Sequence, residues 1–279
     1  MDAFLDQVAK HIHDQYGDLT EDICIVLPNR RAGLFLKKYL ARHYEKTIWA
    51  PRIMAIEDFV YDTAGLEQVD QLELLFEFYR IHLQVAGEAY EEIDRFMDWG
   101  NIVLNDFNEI DMYLADAEAL FSYLTEAKAI SIWNPDLSPL SESQEKFLFF
   151  YQSLILYYQG LNKELIKKKK AYHGMAYRHL AENLENKIDK LQYKKILFAG
   201  FNAFSLAEEK IITTLVNSGR AELLWDVDEY YLDDPNMEAG KFIRKYLKKW
   251  GRKSVRWIGK NYRDEDKRIS ITGVAKNIG

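Results

Sequence analysis

The sequence predicts an α/β protein: a parallel sheet built from the two ends of the chain, interrupted by a large all-helical insertion. Three observations carry this. Continuous apolar runs of strand length occur at Asp22–Leu27, Lys195–Ala199 and Ala221–Asp226, and runs without alternation belong to strands covered on both faces. Each is followed by a helical pattern after a short joint, and strand–helix–strand order closes through right-handed crossovers into a parallel sheet. Between about Gln68 and Gln192, in contrast, every periodic stretch has helical spacing.

Taken in order, Asp2–Tyr16 reads as an amphipathic helix with Phe4, Leu5, Val8, Ile12 and Tyr16 on one stripe. The strand Asp22–Leu27 ends at Pro28-Asn29, and a helix follows over Arg31–Tyr44, with Leu34, Phe35, Leu36, Tyr39 and Leu40 apolar. Trp49–Ile56 is extended and enters a helix near Glu57. The helical region comprises Leu72–Val85, Ile93–Leu104, Ala115–Ala129, Ser141–Lys167 and Ala171–Leu191, broken at Asn134–Pro139. The run Lys167–Lys170 reads as a frayed helix end. The alternation resumes at Lys195–Ala199, which stops at Gly200. Ser205-Leu206-Ala207-Glu208 is a capping box, in which hydroxyl and carboxylate each satisfy an otherwise orphaned N–H. That helix ends at Ser218-Gly219. A strand at Ala221–Asp226, a basic helix at Glu238–Trp250 and a last strand at Arg268–Thr272 complete the pattern. The expected division is an α/β domain over 1–67 and 193–279, with a helical subdomain over 68–192. A chain stopping just after a strand reads as part of something longer.

Composition narrows the function classes. The chain has 279 residues, 48% hydrophobic and 14% aromatic, enough for a sizeable core, which excludes a disordered chain. A single cysteine, Cys24, excludes an internal disulfide, a zinc ribbon and a dithiol redox pair. The acidic start is unlike a signal peptide. The uncharged run Phe147–Asn162 falls short of the ~20 residues a membrane span needs. A cytoplasmic protein without membrane contact is expected.

Charge is unevenly placed. From Glu57 to Glu126 there are eighteen acids and two bases, whereas Lys241 to Arg263 holds ten bases and no acid. In a chain of net charge −7 such a basic block needs a counter-charge: the acidic segment, another protein, or nucleic acid.

Several chemistries lack their residues. Neither Gly240-Lys241 nor Gly259-Lys260 is preceded by the glycine that a phosphate-binding P-loop needs five positions earlier; Pro235 and Ser254 stand there. Without a P-loop, Asp226, Asp228 and Glu229 after the Leu223-Leu224-Trp225 strand read as turn residues. A Glu-x-Lys at Glu185-Asn186-Lys187 lies within a helical pattern rather than on a sheet, so no two-metal nuclease site is expected. The six histidines show no metal-ligand spacing. No catalytic residue, cofactor or metal is expected in this chain.

Two groups of residues are candidates for DNA contact. Asn29, Arg30 and Arg31 open a helix behind a buried strand. Cations there oppose the helix dipole, a cost offset where a phosphate sits on the helix N-terminus. The alternative is that the arginines reach into water or pair with carboxylates of the acidic segment. The second group is Lys245, Lys248, Lys249, Arg252 and Lys253, interleaved with Tyr246, Trp250, Trp257 and Tyr262. Cations with aromatics suit a nucleic-acid strand, while Phe242, Tyr246 and Trp250 also have the spacing of an ordinary core face.

Four segments together resemble the N-terminal part of the AddB-type subunit of AddAB helicase–nucleases, in the form found with PD-(D/E)XK nuclease superfamily proteins. They are Ile25-Val26-Leu27-Pro28-Asn29-Arg30-Arg31-Ala32, Trp49-Ala50-Pro51-Arg52-Ile53, Asp106-Phe107-Asn108-Glu109-Ile110-Asp111 and Leu197–Ser205. The resemblance implies a RecA-like, superfamily 1 helicase domain that lacks its P-loop strand and carries a helical insertion. Pro28–Ala32 would match the motif that touches single-stranded DNA in active relatives. Ala199-Gly200 would stand where a motor carries its Walker B Asp-Glu. The implied role is a non-catalytic helicase-like region of a double-strand-break repair and recombination subunit. It would scaffold an AddA-type motor partner and contact single-stranded or forked DNA, the exonuclease domain lying elsewhere in a longer protein. The alternative is a protein-interaction module that docks through the acidic helical segment without touching DNA.

Overall fold

The computed structural model describes residues 3–18, 20–131, 140–227, 229–251 and 255–257, with 130, 131, 229, 230 and 255–257 described by backbone alone. Helix α1 (Phe4–Tyr16) precedes strand β1 (Ile23–Leu27), α2 (Arg30–His43), β2 (Arg52–Ala55), α3 (Ile56–Ala64) and β3 (Glu67–Gln68). Four helices follow: α4 (Gln71–Ala86), α5 (Ile93–Met112), α6 (Ala117–Ser131) and α7 (Glu142–Lys167). Strand β4 (Lys170–Ala171) then leads into α8 (His173–Asn183) and a 3-10 stretch over Leu184–Lys190. The last part alternates β5 (Lys195–Ala199), α9 (Leu206–Asn217), β6 (Ala221–Trp225), α10 (Glu229–Asp233), α11 (Lys241–Trp250) and β7 (Val255–Trp257).

The main sheet has the order β2-β1-β5-β6-β7, with every neighbouring pair parallel. Four strands have four or five residues and β7, at the edge, has three. Side chains alternate between two cores. Ile23, Ile25, Leu27, Leu197, Ala199 and Leu224 face α1 and α2. Cys24, Val26, Ile196, Phe198, Leu223 and Trp225 face the other helices. That second core continues without interruption into the helical region, where the buried Phe78 ring meets Phe96 at 5.1 Å, Phe107 at 5.8 Å and Tyr157 at 5.6 Å. The pairs with Phe96 and Tyr157 are edge-on and that with Phe107 is tilted, and edge-on ring packing adds to the simple benefit of burial.

Local chemistry accounts for the ends of the elements. The Ser205–Glu208 capping box forms as expected, and Gly219, at φ +72°, stops α9 in a conformation costly for any residue with a side chain. Ser141 with Gln144 makes a second box at the start of α7. His82 is buried, and its Nε2 accepts the Glu91 N–H at 3.0 Å, so Nδ1 carries the proton toward the Tyr157 hydroxyl. Burial lowers its pKa below the ordinary value.

Several expectations need correction. The segment from Gln68 to Gln192 contains strand residues: β3 and β4 pair in parallel, with Glu67 opposite Lys170 and Gln68 opposite Ala171. The lysines before β4 are not a frayed end. Lys168 pairs with Glu77 at 2.6 Å, Lys169 turns the chain at φ +57°, and Lys170 pairs with Glu73 at 2.7 Å. Helix α5 runs on to Met112, and the end of the expected Ala171–Leu191 helix is 3-10. In α2 the inward positions are Gly33, Leu36 and Leu40, while Leu34 and Phe35 face solvent, because a 3.6-residue period cannot turn the three adjacent residues Leu34, Phe35 and Leu36 to one side. The basic helix begins at Lys241 after one 3-10 turn, and β7 occupies part of the basic block. The expected strand Arg268–Thr272 and the break Asn134–Pro139 lie outside the described residues. Among the described residues no helix is long and apolar enough to cross a membrane.

Helices α5 and α8 approach closely at Gly174, whose N–H donates to Asn108 Oδ1 at 2.7 Å. A Cβ there would lie 2.3 Å from the Asn108 backbone oxygen. Gly174→Ala is therefore expected to cost about 1–3 kcal/mol by forcing two helices apart. Gly160→Ala, which meets the movable Ile81 side chain at 3.0 Å, should cost less. Urea midpoints of the two variants check the order.

Candidate nucleic-acid interface

Strand order decides where a site can form. Helix α2, after β1, packs on one face of the sheet, and α9, after β5, packs on the other. From β1 the strand order proceeds toward one edge and from β5 toward the other, so it reverses between these two adjacent parallel strands, the position where parallel α/β sheets open a crevice at the carboxyl ends of their strands. Pro28–Arg31 leave β1 at this crevice, and Gly200–Ser205 leave β5. Asn29 is extended, and its side chain accepts the Ala32 N–H at 2.9 Å, an N-cap for α2. Gly200 has φ +77°, and the Phe4 ring lies 3.3 Å from where its Cβ would stand. Ala199 is fully buried, so this strand end presents no carboxylate to a metal or a water.

Arg30 grips Asp58 in the first turn of α3, with Nε 2.9 Å from Oδ2 and Nη2 2.5 Å from Oδ1. This fork holds the Asp58 carboxyl below its ordinary value. For Arg30 the pairing alternative is thus the one observed, and its carboxylate comes from the acidic segment. Arg31 is exposed and has no ion pair or hydrogen bond among the described residues. Beneath the Arg30–Asp58 fork lies a cavity of about 190 Å³, bordered by Gly33, Lys37, Ile53 and Ala55.

The cations of α11 are also largely engaged. Glu209, buried on α9, accepts from Lys245 at 2.7 Å and from Lys249 at 2.8 Å. Burial pushes the Glu209 carboxyl up, but the two ammonium groups outweigh it and hold it below its ordinary value. Arg244 donates to the backbone oxygens of Tyr231, Pro235 and Met237. Lys241 and Lys248 remain exposed, without partners among the described residues. Together these five cations line a shallow recess of about 580 Å³. Tyr246 and Trp250 belong to the core: Trp225, Tyr246 and Trp250 form a stack with centroids 5.8 and 5.0 Å apart. Arg252, Lys253 and Tyr262, and the side chain of Trp257, lie outside the described residues.

The two candidate groups are not brought together. Asn29–Arg31 open a helix packed on one face of the sheet, and Lys245–Lys249 lie on a helix packed on the opposite face. The counter-charge to the basic helix is Glu209 rather than the acidic segment. Glu209 has a signal in the sequence, since it stands three and seven residues before the inward-facing Ile212 and Val216. The pairing of Asp58 with Arg30 has no local signal.

Asp111, at the end of the Asp106–Asp111 segment, is completely buried. It accepts from the hydroxyls of Tyr158 and Tyr172 and from Arg178 Nε at 2.7 Å. Arg178 reaches on to the carbonyls of Ile110 and Ala115, so this cluster binds α8 to the end of α5. Its hydrogen bonds hold these helices together. The Cys24 thiol is buried and pushed up to about 12, which removes it as a nucleophile. Among the described residues no group of histidine, cysteine or carboxylate side chains could hold a metal ion.

No family model matches the chain, and no curated protein is significantly similar to it.

Because the folded pKa of Glu209 is depressed, its pairing stabilises the protein above the unfolded value of about 4.3 and is lost as pH falls through the lower folded value. Glu209→Gln should lower the urea midpoint at pH 7, with the gap to the parent protein narrowing below pH about 4. Denaturation at a series of pH values checks the sign.

Proposed function

We propose that the chain is a RecA-like, helicase-type scaffold without ATPase chemistry, with an α/β domain over 1–67 and 193–279 and a helical insertion over 68–192. It acts in the cytoplasm as a region of an AddB-type subunit in double-strand-break repair. There it supports an AddA-type motor partner and contacts single-stranded or forked DNA through the strand ends. One observation carries this reading. The crevice at the reversal between β1 and β5 carries Asn29, Arg30 and Arg31 at a helix N-terminus, and the neighbouring strand ends in Ala199-Gly200, with no catalytic carboxylate. There the exposed Arg31 is the guanidinium open to a phosphate, while Arg30 is held by Asp58 and would have to exchange that carboxylate for a phosphate to contribute.

A second reading, a protein-interaction module without DNA contact, is favoured by a specific observation. Three of the nominated cations are already neutralised within the fold, Arg30 by Asp58 and Lys245 and Lys249 by Glu209. Fluorescence anisotropy with labelled single-stranded and forked DNA separates the two. On the DNA reading, affinity falls as salt rises, and Arg30→Ala/Arg31→Ala lowers the slope of log K against log[salt] by about 1–2. Absence of binding at low salt, with and without the motor partner, removes the DNA reading. Partner binding that survives Arg31→Glu and Lys248→Glu then supports the interaction module.

A further inference from the structure

Helices α5, α6 and α7 leave between them an apolar groove of about 450 Å³, within the ~300–1,000 Å³ typical of ligand pockets. Its buried floor includes Val103, Phe107, Phe121 and Leu154. On its wall Ile102 is 60% exposed, a large aliphatic side chain left facing water. The walls are held from behind. Trp99 packs edge-on to Phe150 at 5.2 Å, and Thr125 ties α6 to α7 by donating to the Tyr151 carbonyl at 3.3 Å. A groove already formed in this way asks little reordering of what binds it.

Its electrostatics select the occupant. Asp106 and Glu109 stand one helical turn apart on the α5 rim, and among the described residues neither carboxylate has an ion pair or hydrogen bond and no basic residue lines the groove. Asp106 keeps contact with solvent, yet the apolar wall beneath it pushes its carboxyl above the ordinary value. Lys128 of α6 lies over the rings of Phe147 and Tyr151, at 5.8 and 5.2 Å, and does not line the groove. Nucleic acid is excluded by the sign of the charge. A second copy of this chain is a poor fit, because its basic helix α11 has its apolar face, Ile243, Tyr246 and Trp250, already buried.

We propose that this groove docks an amphipathic helix of a partner protein, its large apolar side chains filling the groove and its lysines or arginines meeting Asp106 and Glu109. The inference rests on the partner-supporting half of the function proposed above and not on its DNA contacts. The recognition mode is helix-in-groove, with anchors at i, i+3 or i+4 and i+7.

The test uses the full chain and a fluorescein-labelled 18-residue probe peptide with leucines at those anchor positions and lysines flanking them. One control peptide replaces each lysine by glutamate, and another scrambles the order. Binding of the lysine peptide is expected, with about tenfold weaker binding for either control, a 1.4 kcal/mol difference. Ile102→Arg, at an exposed position, should weaken it about tenfold without changing the melting temperature. Asp106→Asn/Glu109→Gln should weaken it severalfold and remove most of its salt dependence. Equal binding of the lysine and glutamate peptides, or indifference to Ile102→Arg, overturns the proposal. So does sedimentation showing a dimer that Ile102→Arg dissolves, since the occupant would then be a second copy. DNA anisotropy on Ile102→Arg keeps the two proposals apart: it should match the parent protein whatever the peptide does.

Discussion

Ile23, Ile25 and Leu27 of β1 face one layer of helices while Cys24 and Val26 face another, and β5 divides its side chains in the same way. A strand buried on both faces offers no side chain to solvent, so polar function is excluded from the body of the sheet and confined to the strand ends. Parallel pairing adds a second restriction, because each strand must be reached by a crossover long enough to bring the chain back to the end of the sheet where the previous strand began. Between β2 and β5 that crossover is the whole helical region. It does not form a separate core: Phe198 of the sheet lies 5.9 Å from Phe59, and the same buried cluster extends to Phe78 and Phe107.

Charge is managed by short-range pairing more than by the large-scale separation of acidic and basic segments. Glu73 and Glu77, both on α4, hold Lys170 and Lys168 beyond the end of α7. Glu209 holds two lysines of α11, and Asp58 holds Arg30. Coulomb energy falls with distance and is screened over about 10 Å in salt, so a carboxylate a few ångströms away outweighs a remote excess of the same sign. Many cations still face outward, among them Lys10, Arg31, Lys37, Lys38, Arg95, Lys163, Lys210, Lys241 and Lys248, alongside the acids on α5 and α6. The net charge of the chain is therefore a poor guide to any single surface.

The elements legible in the sequence are those set by neighbouring residues. The runs at β1, β5 and β6 are continuous and apolar, and the Ser205–Glu208 box and Gly219 mark both ends of α9 within a few residues. The β3–β4 pair was not legible, since two-residue strands carry no periodicity and their partner residues, 67 and 170, meet only through the packing of everything between them. The Arg30–Asp58 fork is similar, joining the first turns of two helices. The aromatics of α11 could be placed by their spacing, and the core reading of Tyr246 and Trp250 is the observed one. At the candidate site the sequence located Asn29–Arg31 at a strand end, but it did not reveal that these residues and the lysines of α11 are on opposite faces of the sheet. That fact depends on which way each crossover turns.

The continuity of the core bears on how the proposed scaffold would work. Helix α5, which forms one wall of the apolar groove, is bound to α8 through Asp111 and Arg178 and by the close approach at Gly174. Helix α8 packs in turn on α3, whose carbonyls at Thr63 and Ala64 accept from Lys187 and whose first turn carries Asp58. These joints are buried or hydrogen-bonded to backbone, so they resist bending, and close-packed interiors deform little short of repacking. A hinge between sheet and helices would have to break the shared aromatic core, exposing rings that contribute several kcal/mol when buried. Such an architecture transmits position more readily than motion. A partner helix seated against α5 would thereby be held at a constant distance and angle from the strand ends, which is what a fixed frame for a separate motor requires.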